Sequence, residues 1–302
     1  MLLLNIFINN LLPVLLLAGA GFLLGKLTDV SPRPLGRVVF YIFSPVLVFD
    51  LITRSQLSSS GIGLMAGFAV SVMLVCAGIA FLLGKLFHLE KPALIAIVLT
   101  SMIGNNGNYG LPIIAFAFGE EVLAYASIYF VTSITMVNTL GVFIASLGHL
   151  GAKDALIRLV KIPAIYAMIL AIIFVQVGIA LPAPLQKAVT LASTAAVPCM
   201  LILLGLELNN AAWSRNFKVL GIPVFIRLAL GPVIALIFSA LFGLPKFARQ
   251  AGITEAGMPS AVMTTILASE FNLDSALITS IVFITTLLSP VTLTILLVLL
   301  GA

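Results

Sequence analysis

Long stretches without any charged residue run through most of this chain of 302 residues. A helix needs roughly 17–25 apolar residues to cross the hydrocarbon core of a bilayer. Two apolar stretches are each interrupted by one acid, Asp50 in 38–53 and Glu255 in 250–269. Eight others carry no charge over 18 residues or more and cover 1–25, 55–84, 92–119, 122–152, 162–186, 188–206, 228–245 and 275–302. The sequence therefore predicts an all-α polytopic membrane protein with ten transmembrane helices (spans 1 to 10) and short loops.

The composition excludes the common soluble classes. Only 8% of the residues are charged and 62% are hydrophobic, whereas a soluble domain has about 25% charged residues. The chain has a net charge of +5, but its basic residues are scattered between the apolar stretches and form no basic run. The charge therefore does not indicate nucleic-acid binding. The sequence has no catalytic triad, phosphate-binding loop or metal-ligand motif, and Cys76 and Cys199 lie inside apolar stretches. We therefore expect neither an enzyme nor a resident cofactor or metal.

The distribution of basic residues predicts the orientation of the spans. No Lys or Arg precedes the first apolar stretch, which favours a first span over a signal peptide. Cytoplasmic loops of membrane proteins carry an excess of Lys and Arg. With the N-terminus outside, the outer loops hold Arg54, Lys187, Lys246 and Arg249, and the inner loops hold Lys26, Arg33, Arg37, Lys85, Lys91, Lys153, Arg158, Lys161, Arg215 and Lys218. This asymmetry predicts a multi-pass protein of the bacterial inner membrane with both termini outside.

Two proline landmarks recur in the same order in the two halves of the chain. Pro45 in span 2 precedes Pro112 in span 4 by 67 residues, and Pro198 in span 7 precedes Pro259 in span 9 by 61 residues. Because five spans per half is an odd number, the second copy would insert upside down, as in many secondary transporters. We therefore predict two inverted five-helix repeats, residues 1–150 and 151–302.

Spans 4 and 9 are each interrupted near the middle. Gly104–Pro112 contains three asparagines, three glycines and a proline, and Glu255–Ser260 is the corresponding segment of span 9. Irregular backbone at this depth must face protein or water, because each unpaired polar group in lipid costs several kcal/mol. Two interrupted helices in corresponding positions indicate a transporter binding site. The alternative is a pair of Gly–Pro kinks whose asparagines bond neighbouring helices.

The interruptions predict a site for an anion. A proline in the first turn of a helix loses no hydrogen bond, so Pro112 and Pro259 are expected to begin the second half of each broken span. Free N–H groups and the helix dipole at such starts favour a carboxylate. Glu255, an acid inside span 9, is a candidate to bind a proton or a sodium ion. The alternative places Glu255 near the outer end, paired with Arg249 or Lys246.

Three other charged residues lie inside or at the ends of the predicted spans. Asp50 and Glu207 are expected to be solvated at the ends of spans 2 and 7. Arg227 is expected to extend along its aliphatic stem to the inner interface; the alternative is that it contacts a substrate carboxylate.

The interrupted segment of span 4 carries a recognisable motif. Asn105–Pro112 matches N-x-G-N-x-G-x-P and so resembles the auxin efflux carrier family, which includes plant PIN proteins and many bacterial members. Ala256–Val262 followed by Thr285–Ser289 is similar to the closing pattern of that family, and Ala196–Pro198 with Leu203–Leu208 to its seventh span. The resemblance covers essentially the whole chain, without the long cytoplasmic loop of plant PIN proteins.

The resemblance implies an architecture and a substrate class. Spans 4 and 9 would cross at their prolines, with spans 1, 2, 6 and 7 forming a scaffold and spans 3–5 and 8–10 a transport part that moves like an elevator. Family substrates are carboxylates, namely auxin, malonate or malate. A homodimer through the scaffold is suggested by related folds. The residues expected to bind substrate are Asn105, Asn106, Asn108, Tyr109, Pro112, Met258, Pro259 and Ser260.

The leading hypothesis is therefore a secondary carrier of small organic anions. One alternative is a sodium-coupled symporter of the bile-acid type, in which an acid near the second crossing binds sodium, a position that Glu255 matches loosely. A passive anion channel is less favoured, because the sequence shows no ring of charges and no filter repeat. Apart from a coupling proton or sodium ion, no cofactor is expected, and the expected partners are the substrate, the lipid bilayer and a second copy of the chain.

Overall fold

The computed structural model describes residues 2–55, 57–146, 160–209, 217–271 and 273–302. Within these ranges the protein is helical, and its one β-type pairing is an isolated bridge. Seven described helices are long and apolar enough to cross a membrane: α1 (Leu3–Leu27), α2 (Pro32–Ser55), α3 (Ser60–Leu86), α6 (Glu120–Ala145), α8 (Ala183–Leu208), α9 (Val219–Leu241) and α12 (Ser275–Leu300). An all-helical polytopic membrane protein, as predicted, is thereby confirmed.

The remaining described helices are shorter. They are α4 (Lys91–Met102), α5 (Leu111–Phe118), α7 (Pro163–Val177), α10 (Lys246–Ala256) and α11 (Met263–Glu270). The predicted spans 4 and 9 therefore each consist of two half-helices, α4 with α5 and α10 with α11. We call Ile103–Asn105 the first break and residues 257–262 the second break.

Two predicted span boundaries were wrong. The charge-free stretch 162–186 is not one helix, because α7 ends at Gly178, which adopts a left-handed conformation with φ of 71°. Glycine adopts this conformation at little cost and commonly ends helices. The stretch 228–245 was placed too late, since α9 runs from Val219 to Leu241 and so contains Arg227.

Glycines bring α1 and α8 into close contact. A Cβ atom on Gly205 would overlap the backbone of α1 at Ala18 and Phe22, and a Cβ atom on Gly21 would overlap the backbone of α8 at Ile202. Small residues at a helix interface allow the backbones to approach closely, which is a common means of helix association in membranes. These two helices therefore form a tightly packed pair.

Helix contacts run continuously through the described protein. Extensive contacts join α8 to α1 and α2, α2 to α6 and α7, α3 to α4 and α6, and α10 to α6 and α9. Large apolar side chains such as Leu16, Leu82, Leu241 and Leu299 are exposed on the outside. A bilayer accommodates such a surface, whereas the polar groups of the breaks have to be paired inside the protein.

Candidate substrate site

The two breaks pair with each other through their backbones. Gly104 and Ser260 form an antiparallel bridge. The N–H of Asn105 donates to the carbonyl of Pro259 at 2.7 Å, and the N–H of Ala261 donates to the carbonyl of Ile103 at 3.0 Å. Polar backbone groups that a broken helix leaves exposed are thus satisfied by the other broken helix, as the bilayer interior requires.

The second half-helices begin differently from each other. Pro112 lies in the first turn of α5, as predicted. A single π-helical turn over Asn106–Gly110, called a wide turn below because it is wider than an α-helical turn, leads into that helix. Pro259 does not begin a helix: α11 starts at Met263. The prediction for Pro259 was wrong because Pro259, Ser260 and Ala261 pair with the first break instead of forming a helix.

Asn106 ties the first break to Glu255. Its Nδ2 donates to the backbone carbonyl of Glu255 at 2.9 Å and to Oε2 of the same residue at 2.6 Å. Its Oδ1 accepts a bond from Ser133 on α6 at 2.9 Å. Glu255 is fully buried, and its Oε1 has no hydrogen-bond partner. Glu255 therefore makes no pair with Arg249 or Lys246, contrary to the alternative drawn from the sequence.

Arg227 is buried beside the breaks and does not reach the membrane interface. Only 1% of the residue is exposed, so the expectation of an interfacial side chain was wrong. Its Nε and Nη2 donate to the carbonyl of Met258 at 2.9 and 2.7 Å, and Nη1 donates to the carbonyl of Ser101 at 3.4 Å. The guanidinium holds carbonyls of both broken spans, and its positive charge acts on Glu255. A buried guanidinium and a buried carboxyl group, of opposite formal charge, therefore flank the breaks.

Two glycines make room for these charges. A Cβ atom on Gly104 would overlap the Arg227 guanidinium, and one on Gly110 would overlap the Glu255 carboxylate. Glycine permits this close approach because it has no side chain. The glycines of the motif thus admit a cation on one side of the segment and an acid on the other.

A cavity of about 590 Å³ opens against the first break. Its walls come from the start of α2, the first break and the wide turn after it, the second half of α6, the end of α8, and α11 with the adjoining end of the second break. The polar and charged residues of its lining are Arg33, Arg37, Tyr41, Ser44, Asn105, Asn106, Asn108, Ser133, Asn138, Glu207, Thr265 and Ser269. Arg33 and Arg37 are solvent-exposed, so two cations stand at the mouth.

The three asparagines of the motif differ in whether their side-chain amides still have a hydrogen-bond donor to offer. The amide of Asn106 is fully used by Glu255 and Ser133. Asn108 donates from Nδ2 to Oε2 of Glu207 at 3.4 Å, a long bond. The Nδ2 of Asn105 is buried and has no partner. Asn105 and Asn108 therefore offer donors to a molecule in the cavity, while Asn106 supports the shape of the break.

The other residues predicted to bind substrate lie behind the cavity wall. Tyr109 packs in an apolar cluster, and its hydroxyl accepts a bond from Ser289 at 3.2 Å. Met258 and Pro259 contribute the carbonyls that accept from Arg227 and from Asn105. The Ser260 hydroxyl donates to the carbonyl of Thr100, and Pro112 is buried in α5. These residues hold the backbone of the breaks in place.

Buried polar atoms without a partner concentrate around the breaks. The unpartnered atoms in the described part of the chain are Ser101 Oγ, Asn105 Nδ2, Tyr129 Oη, Thr254 Oγ1 and Glu255 Oε1. Four of these five belong to the two broken spans. Since buried polar groups in proteins are nearly always bonded, such a cluster points to a bound molecule, ion or water.

The two acids expected to be solvated at span ends are held by the protein. Asp50 is 3% exposed; it pairs with Arg54 at 3.1 Å and accepts from Gln186 at 3.3 Å. Glu207 is half-buried in the cavity lining. The neighbouring helices cover Asp50, so the expectation of solvation was wrong for that residue. Glu207 lies at the end of α8, as expected, where the cavity leaves it partly exposed.

Wide turns, that is π-helical turns within or next to α-helices, surround the site, and they were not predicted from the sequence. Five such turns occur in the described residues. Four of them, Val39–Phe43, Asn106–Gly110, Val137–Gly141 and Ile226–Leu230, contribute cavity residues or Arg227. Wide turns inside α-helices frequently mark functional sites. No signal in the sequence distinguishes these turns, except the glycines in two of them.

Comparison with known proteins identifies the family. The family model described as "Membrane transport protein" matches residues 6–153 and 149–297. The chain belongs to this family. The match confirms the resemblance to the auxin efflux carriers, and membership makes the chain a multi-pass membrane transport protein.

Two relatives agree with the assignment. An uncharacterized transporter of Methanocaldococcus jannaschii is 32% identical over 287 residues, which cover 91% of this chain and 93% of the relative. An uncharacterized transporter of Methanothermobacter thermautotrophicus is 29% identical over 290 residues, covering 94% of this chain and 95% of the relative. Both similarities extend over nearly the full length of each protein.

Proposed function

We propose that this transport protein is a secondary carrier of small organic anions, chiefly carboxylates, and that it binds them at the two breaks. The observation that carries the proposal is the buried amide of Asn105, which lacks a partner on the wall of a cavity whose mouth holds Arg33 and Arg37. A carboxylate accepts hydrogen bonds and bears a negative charge, so it complements both features.

The backbone of the first break adds to this anion preference. The helical segment that begins at Asn106 has N–H groups in its first turn without intrahelical acceptors. Such helix starts carry a partial positive charge and commonly bind anions. The cavity is large enough for a small organic anion, since ligand pockets of about 300–1,000 Å³ are typical.

The proposal includes the inverted-repeat architecture. Ten spans would form two five-helix repeats with spans 4 and 9 crossing at the breaks, and spans 3–5 and 8–10 would move as an elevator. Two facts support it: the two matched stretches meet near residue 150, and the breaks pair across the two halves.

The orientation is part of the same proposal. We place the protein in the bacterial inner membrane with both termini outside, as a homodimer that forms through the scaffold. The cavity walls come from the halves of the helices that the basic-residue count places inside, which makes this an inward-open conformation. Of the inner-loop residues behind that count, Lys153, Arg158 and Arg215 lie outside the described residues, as does the side chain of Lys218.

A sodium-coupled symporter is the second candidate. The unpartnered Oε1 of Glu255 and Oγ1 of Thr254 are oxygen atoms that a sodium ion or a proton could bind. The nearby charge of Arg227 opposes a cation there. Uptake that requires an inward sodium gradient, and that Glu255→Gln abolishes, would support this candidate.

The main experiment is an uptake screen of radiolabelled mono- and dicarboxylates in proteoliposomes, with and without sodium and pH gradients. Asn105→Ala and Asn108→Ala are expected to lower kcat/KM roughly 10- to 100-fold, since a hydrogen bond to a charged group contributes about 1.5–3 kcal/mol. The matched control is Asn138→Ala. Asn138 also lines the cavity, but its amide donates to the Ile134 carbonyl of its own helix.

The outcomes separate the hypotheses. A carrier shows saturation and counterflow, whereas a passive channel shows neither. An intramembrane enzyme would convert its substrate inside the liposomes, which chromatography of the lumen detects. Unchanged uptake in Asn105→Ala and Asn108→Ala at normal expression would remove the breaks as the binding site.

A further inference from the structure

The cavity contains one carboxylate among its described lining residues, that of Glu207. Glu207 lies in the last turn of α8, and its Oε2 accepts the long 3.4 Å bond from Asn108. Asn108 is one of the two asparagines with a donor available to a bound molecule. Glu207 therefore occupies the place that an anion approaching Asn108 would take.

An anion and an ionised Glu207 compete for the same amide. Two carboxylates that share one site repel each other, and the usual result is that one of them takes up a proton. A protonated Glu207 would no longer repel the anion, and its hydroxyl would become a hydrogen-bond donor to it. One proton thus converts a competitor into a ligand.

Charged and polar groups from several elements lie in the region of Glu207. The start of α2 contributes Arg33, Arg37 and Tyr41 to the same cavity, and the last turn of α1, which packs on α8, carries Lys26. The wide turn after the first break faces it with the neutral Asn108. Asp50 and Arg54 of α2 meet α8 at its other end, near Gln186 and Thr190. Arg33 and Arg37 therefore line the same cavity as Glu207, and an anion that they attract meets the carboxyl group of Glu207.

We infer that Glu207 takes up one proton from the solution at the cavity mouth when the organic anion binds, so that the anion and the proton occupy the site together. This inference rests on the proposed function, since it assumes that the cavity binds an anion. It assigns the coupling proton to the cavity lining, whereas the fully buried Glu255 is separated from the cavity by Asn106.

The test measures the pH dependence of uptake in proteoliposomes with radiolabelled malate, malonate and indole-3-acetate as probes. Between pH 8 and pH 6 at the mouth side, kcat/KM of the wild type should rise as the pH falls, by up to about tenfold per unit. Glu207→Gln should remove this dependence, whereas Glu207→Asp should keep it. Glu255→Gln serves as the comparison and should also keep the wild-type dependence.

A second measurement does not depend on transport. Binding of the same probe to detergent-solubilised protein in weakly buffered solution should consume protons, which a pH-sensitive dye reports. The wild type should take up about one proton per bound anion, and Glu207→Gln should take up none. Should Glu207→Gln fail to fold, Glu207→Met replaces it.

The results distinguish the inference from the function on which it rests. If the wild type transports none of the three probes, the proposed carboxylate carrier itself fails. If the wild type transports a probe but binds it without proton uptake, the role of Glu207 is refuted while the carrier stands. The same holds if Glu207→Gln keeps the wild-type pH dependence, or if Glu255→Gln alone removes it.

Discussion

Replacing Arg227 by methionine should weaken the whole arrangement of the breaks. Methionine keeps much of the length of the side chain but removes the charge and every donor. The carbonyl of Met258 would lose two N–H donors, at 2.9 and 2.7 Å, and the carbonyl of Ser101 would lose one at 3.4 Å. Glu255 would also lose the nearby positive charge. The substitution therefore removes bonds to both broken spans at once.

The magnitude follows from these contacts. A hydrogen bond from a charged group contributes about 1.5–3 kcal/mol, but two of the three donors share one carbonyl, so their contributions overlap. Two buried carbonyls each lose bonds of this kind, so the sum is about 3–6 kcal/mol. We expect a loss in this range. At about 2–4 °C per kcal/mol, Tm should fall by roughly 10 °C.

The assay is thermal unfolding of the purified protein in detergent, arranged as a double-mutant cycle with Glu255→Gln. Because the positive charge of Arg227 acts on Glu255, the two substitutions should be coupled, and the double variant should differ by about 1–3 kcal/mol from the sum of the single variants. Arg249→Met is the matched control, since Arg249 is exposed on α10 and its loss should change stability by less than about 0.5 kcal/mol. A Tm within about 2 °C of the wild type for Arg227→Met, or strict additivity in the cycle, would refute the structural role of Arg227.

Three further substitutions test other parts of the structure. Gly205→Ala should lower the free energy of unfolding by about 1–3 kcal/mol, because the new Cβ atom would overlap the backbone of α1. Gly78→Ala is the control, since Gly78 has open space around it, and thermal unfolding compares the two variants. The double variant Arg33→Gln/Arg37→Gln should raise KM for the transported anion several-fold at low salt and less at high salt, because exposed charges are screened; an effect independent of salt would contradict this electrostatic role. Tyr109→Phe should cost about 1 kcal/mol through loss of the bond to Ser289 and leave KM unchanged, and a raised KM would place Tyr109 in contact with the substrate.

The interruption of spans 4 and 9 could be predicted because it is local in the sequence. Glycines, asparagines and a proline clustered in the middle of an apolar stretch disfavour a continuous helix that faces lipid. The start of α5 at Pro112 followed from the same reasoning. The start of α11 did not, because the backbone of Pro259 bonds to a residue of the other half of the chain, and a single segment carries no signal for such pairing.

The burial of Arg227 and the position of Glu207 could not be predicted for a related reason. A rule that assigns charged residues to span ends is sound on average. It fails here because the partners are far away in sequence: Met258 lies 31 residues after Arg227, and Asn108 lies 99 residues before Glu207. The closest available signal was the glycine content of Gly104–Pro112. Glycines leave room for large neighbouring side chains, but the sequence does not show which residues these are.

The pairing of the two breaks also has a consequence for how the protein is made. Asn106 is separated from Glu255 by 149 residues, and chains are synthesised at about 5–20 residues per second, so this interval takes roughly 7–30 s. During that time the Asn106 amide lacks the oxygens of Glu255 and the N–H of Asn105 lacks the carbonyl of Pro259, and such unpaired groups cannot rest in lipid. Membrane insertion of the first half must therefore hold this segment in a sheltered or hydrated position. A nascent chain that stops before residue 261 would leave the carbonyl of Ile103 without its donor.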